Sequence, residues 1–102
     1  MSTYIIAYHG GKNPETPEAG AKHMGKWQEW IKSLGKNVVN PGTPLGPSKL
    51  VSSDGVSDYT GSERLTGFAM VKAESLDAAI EIAKTDPFLL MGNVEVAEVF
   101  NM

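Results

Sequence analysis

The side chains able to do chemistry are few. The chain has two histidines, His9 and His23, and no cysteine, and Arg64 is its only arginine. Without a thiol there is no cysteine nucleophile, thiolate zinc site, iron–sulfur cluster or disulfide framework. Proton transfer by imidazole or carboxylate remains, together with anion binding by a guanidinium. His23 is the strongest single candidate. On a helical wheel it borders an apolar stripe, beside Trp30 and Leu34 and one turn before Trp27. Imidazole is the side chain whose charge changes near neutral pH, which suits a general acid or base. The alternative is a border histidine satisfied by a carbonyl.

The remaining candidates carry plainer readings beside the chemical ones. Asp86 precedes Pro87, and an Asp-Pro after a helix is a stop signal whose carboxylate can cap the next turn. Arg64 follows a glycine-rich stretch and could clamp the polar end of a substrate, or pair with Glu63. Tyr8 and His9 end an apolar segment before Gly10-Gly11 and could line a pocket mouth, the plainer reading of His9 being a surface histidine at a strand end. Two histidines this far apart, with no third ligand at recognisable spacing, are a weak metal signal, and no metal site is expected. No cofactor motif is present: the Gly/Pro segment matches no phosphate-binding loop.

Positioning these residues takes six main elements. Thr3–His9 reads as a strand, being β-branched and aromatic, with apolar residues on both faces. Thr16 is a candidate N-cap and Pro17 a first helical residue, with Gly35 as the stop, so a helix is expected to end at about Leu34. Its apolar stripe is Gly20, Met24, Trp27, Ile31 and Leu34. Residues 37–64 form a long Gly/Pro-rich region with a short strand at Asn37–Asn40 and a possible hairpin around Asp54-Gly55. Leu65–Ala73 is a second strand with two apolar faces. Ser75 caps a helix striped by Leu76, Ala79, Ile80 and Ala83, and Val94–Phe100 is a partly exposed edge strand.

This order is β-α-β-β-α-β, the plan of a ferredoxin-like α+β sandwich with an antiparallel sheet. Right-handed crossovers put both helices on one face. The opposite face of the two central strands is apolar as well. A monomer exposing it would be unusual: either the Pro/Gly loop folds across it or a second copy covers it, and a homodimer with facing sheets is the expectation.

Two segments resemble the YCII-related family. One is Lys22-His23-Met24-Gly25-Lys26-Trp27-Gln28-Glu29-Trp30-Ile31. The other is Leu65–Phe88, with its Ser75-Leu76 helix start and Asp86-Pro87, followed by Val94-Glu95-Val96. The resemblance spans nearly the whole chain and implies a dimeric α/β-barrel of two ferredoxin-like protomers. The family's histidine–aspartate pair maps onto His23 and Asp86, which implies a catalytic role for both. One member type removes chloride from a chlorinated hydroxyquinone. The branch with Asp-Gly-Pro-Phe after the hairpin is not matched, since Asp58-Tyr59-Thr60-Gly61 stands there.

Size and charge exclude other classes. The 102 residues support a single domain, 1–102, and a net charge of −3 argues against nucleic acid. No apolar run is long enough to span a membrane, and Met1-Ser2-Thr3 leads directly into a strand rather than a signal peptide. A cytoplasmic protein is expected. Two function classes follow. The first is a small-molecule enzyme of lyase or isomerase type, in which His23 moves a proton, Asp86 orients it, and Tyr8 and Arg64 bind the substrate. The second is a non-catalytic module for small-ligand binding or homo-oligomeric assembly.

Overall fold

The computed structural model describes residues 1–11 and 16–101. Two strands of high β propensity form its centre: β1 (Ser2–His9) and β5 (Leu65–Ala73). They pair antiparallel, with Tyr4 opposite Val71, Ile6 opposite Ala69 and Tyr8 opposite Gly67. These residues share one face and are buried there. β6 (Asn93–Val99) adds antiparallel to the free side of β1, and the short β2 (Val38–Asn40) adds to the outer side of β5. The sheet order is β2-β5-β1-β6. β6 is therefore an edge strand, as its mixed Val/Glu pattern suggests.

Helices α1 (Pro17–Leu34) and α2 (Leu76–Ala83) connect these strands. The Thr16 side chain accepts from Ala19 N, and Ser75 accepts from Ala78 N, so both N-caps act as their sequences indicate. Ala79 and Ala83 of α2 are fully buried against the sheet. Their small side chains let the helix sit close, while Ala78 and Ile82 pack at its flanks. On α1 the buried residue is Trp30, supported by Trp27, Ile31 and Leu34. Three members of the expected stripe, Trp27, Ile31 and Leu34, pack on the core, whereas Met24 is exposed and Trp30, outside the stripe, is the buried residue. Trp30 Nε1 donates to Thr85 Oγ1 at 2.8 Å, tying α1 to the segment after α2.

The Gly/Pro-rich region divides into two parts. β3 (Ser48–Ser52) and β4 (Gly55–Tyr59) form the hairpin around Asp54-Gly55, a separate two-stranded sheet. Between β2 and β3 the chain runs along the edge of β5, where Pro44 bridges to Gly67 and Leu45 N donates to Thr66 O at 3.0 Å. Gly42 makes this close approach possible. Its φ is +77°, and a Cβ there would lie 1.6 Å from the Phe68 carbonyl oxygen.

The second face of the sheet carries Ile5, Ala7, Phe68, Met70 and Ala97, set opposite one another across the strands. Neither helix covers it.

Candidate functional site

The end of the sheet near Tyr8 opens into a cleft of about 900 Å³. β1 supplies Tyr8, and Gly10-Gly11 turn the chain away at its edge. Gly10 has φ +73°, and a Cβ there would meet the Ser62 carbonyl oxygen at 2.6 Å, so the turn admits only glycine. α1 contributes His23, Met24 and Trp27. The loop before β3 and the hairpin base form the opposite rim, with Lys49, Asp58 and Tyr59.

Tyr8 is the hub. Its ring stacks on Phe88, with centroids 4.7 Å apart and planes 12° from parallel. Its hydroxyl accepts from Trp27 Nε1 at 3.1 Å. Burial drives the Tyr8 hydroxyl far above its usual titration range, and the neighbouring Asp86 carboxylate adds to this. Tyr8 therefore stays protonated at any ordinary pH and acts as a neutral donor.

Asp86 is the one buried charged or polar residue among those described. Its Oδ1 accepts from Phe88 N at 2.9 Å and caps a short 3₁₀ turn, Pro87–Leu90. The capping reading of Asp86 is therefore correct. Its Oδ2 is buried and meets no full hydrogen-bond geometry with any described group, although the Tyr8 hydroxyl interacts with the carboxylate. Burial raises the Asp86 pKa, and Tyr8, the Phe88 N–H and the charge of His23 each pull it back. Among the described residues His23 and Asp86 form no ion pair or hydrogen bond.

Arg64 also lines the cleft. Its guanidinium donates to the carbonyls of Gly11 (2.9 Å) and Gly61 (3.2 Å). It makes no ion pair with Glu63 or any other described carboxylate. Tyr8, His23 and Arg64 therefore converge on one cleft, while Asp86 stands outside its lining and touches it through Tyr8. His9 belongs elsewhere: its Nδ1 meets the Glu63 carbonyl and its Nε2 the Glu95 carboxylate, both at 2.9 Å. Among the described residues no three His, Cys, Asp or Glu side chains are placed to share a metal ion. Phe88, Met91 and the hairpin base are cleft residues that sequence reasoning did not assign. Only the Asp-Pro-Phe turn hinted at Phe88.

An α+β ferredoxin-like sandwich with an apolar cleft at one sheet end, faced by histidine, tyrosine and arginine, defines the class. The YCII-related domain profile matches residues 1–102, and the chain belongs to that family. Among solved structures it is similar to 5-chloro-2-hydroxyhydroquinone dehydrochlorinase (TftG) from Burkholderia phenoliruptrix AC1100, in complex with 2,5-dihydroxybenzoquinone. The TM-score is 0.62 at 16% identity, over 98% of this chain and 95% of that one. No curated protein matches the sequence. No described helix is long and apolar enough to cross a membrane.

Proposed function

We propose that this chain is a small-molecule enzyme that moves a proton on a substrate held in the cleft, in a reaction of lyase or isomerase type. His23 is the proton carrier. In an elimination it takes the substrate proton while the bond to the leaving group breaks, and that group departs with the bonding electrons. In an isomerisation it returns the proton at another atom. Asp86 stabilises the imidazolium by its charge, without a direct hydrogen bond. Tyr8 donates a hydrogen bond, and Arg64 holds the polar end of the substrate.

The observation that carries this reading is the convergence of His23, Tyr8 and Arg64 on one apolar cleft with a buried carboxylate next to it. The similar dehydrochlorinase, titled as a complex with 2,5-dihydroxybenzoquinone, supports a ring of that size as a trial substrate. The reading includes a homodimer, in which the second sheet face is covered by another copy. Cytoplasmic residence is part of the same proposal.

The missing direct bond between His23 and Asp86 favours the second reading, a ligand-binding module. One experiment separates the two. Hydroxylated and chlorinated rings are incubated with the protein in D₂O, following chloride release and deuterium uptake. Turnover by the native chain, lowered about 10²-fold or more in His23→Gln, supports the enzyme. Binding without turnover or exchange, or turnover unchanged in His23→Gln, overturns it.

A further inference from the structure

We infer that the cleft takes a planar ring bearing an anionic oxygen, and that Arg64 is the residue that reads the charge. This rests on the cleft being the ligand site, not on the proton chemistry assigned to His23.

The charge inventory points to an anion. Besides the tyrosines Tyr8 and Tyr59, four ionisable side chains line the cleft: His23, Lys49, Asp58 and Arg64. Lys49 and Asp58 face each other across the hairpin and pair, so they cancel. Of the two Lys/Arg side chains in the lining, Arg64 is the one without an ion pair among the described residues. The Gly11 and Gly61 carbonyls fix its guanidinium in place and occupy two of its five N–H donors. Neither carbonyl carries a formal charge. The remaining donors suit the two oxygens of a carboxylate, or a single ionised ring hydroxyl. A half-buried guanidinium beside apolar walls attracts an anion more strongly than one in open water.

The walls point to a ring. The stacked pair Tyr8 and Phe88 is held flat, and Trp27 is locked to the Tyr8 hydroxyl. Flat, fixed aromatic surfaces favour a planar ligand over a puckered one of equal size. Phosphate is a poorer match, because its two charges would meet one unpaired guanidinium, Lys49 being paired with Asp58.

The test needs no natural substrate. Trp27 lies in the cleft, so tryptophan fluorescence can follow titrations with benzoate, benzamide, cyclohexanecarboxylate and 2,5-dihydroxybenzoquinone. Benzoate is expected to bind about tenfold tighter than neutral benzamide, and also tighter than the puckered cyclohexanecarboxylate. Comparing benzoate with ionised 2,5-dihydroxybenzoquinone shows whether a carboxylate or a ring oxygen is preferred. Arg64→Met is expected to erase the benzoate preference. Because Arg64 also ties two loops, Arg64→Lys provides a second variant that keeps the charge without the fork, and it is expected to lower the preference severalfold. Equal binding of benzoate and benzamide, no binding of either, or a preference that survives in both variants overturns the inference. Equal binding of cyclohexanecarboxylate overturns its planar part. His23→Gln is expected to keep the preference. Loss of charge preference beside intact His23-dependent turnover would sink this inference alone, and the reverse would sink only the catalytic reading.

Discussion

At the scale of single residues, Asp86 has two duties that can be separated. Oδ1 caps the turn after α2, and the other oxygen sits buried near Tyr8. Asp86→Ala leaves the Phe88 N–H without its acceptor and is expected to cost about 1–3 kcal/mol, read from urea midpoints. Asp86→Asn keeps an acceptor and is expected to fold with a smaller loss. The pH dependence follows from the direction of the shift. The folded pKa lies above the ordinary 3.8, so the folded chain binds the proton more tightly than the unfolded one. Stability from this group is full below 3.8 and declines as pH rises through the interval up to the folded value. Urea midpoints measured across that interval should fall in the native protein, and Asp86→Asn should remove that part of the slope.

Among the elements, the segment between β2 and β3 shows how a backbone contact fixes one rim of the cleft. Its path beside β5 requires a residue without a side chain at position 42. Gly42→Ala is expected to cost about 2 kcal/mol or more and to loosen the Leu45–Thr66 hydrogen bond, visible as faster exchange of the Leu45 amide. Gly46→Ala, four residues on and in open space, should be close to neutral. Thr85→Val tests the tie between α1 and the end of α2. It leaves the Trp30 indole N–H unpaired and is expected to cost about 1–3 kcal/mol, checked by thermal or urea unfolding.

For the whole molecule, the second sheet face decides the assembly. Ile5, Ala7, Phe68, Met70 and Ala97 lie there in register, with both helices on the other side. The proposed homodimer hides them. Sedimentation of the native chain is expected to give a dimer, and Met70→Glu a monomer, because two buried charges would oppose each other. A native chain that stays monomeric at high concentration would rule the dimer out.

Much of this architecture was legible in the residue pattern. Strands apolar on both faces, the caps Thr16 and Ser75, and the Asp54-Gly55 turn are local signals, set by side-chain sterics and short-range hydrogen bonds. They determine the β-α-β-β-α-β order, and His23, Tyr8 and Arg64 stand out as candidates by residue type and place, whereas Asp86 joins them as a catalytic candidate through the resemblance to the YCII-related family. Other features depend on contacts between residues far apart in the chain. Trp30 is buried with its indole N–H on the Thr85 hydroxyl, a partner 55 positions along the chain that no local pattern could name. Arg64 binds Gly11 rather than its neighbour Glu63 because the antiparallel pairing of β1 and β5 brings their ends together. Spacing alone cannot give the gap between His23 and Asp86. It depends on how α1 and the turn after α2 pack around Tyr8, and that packing is decided only when the whole core closes.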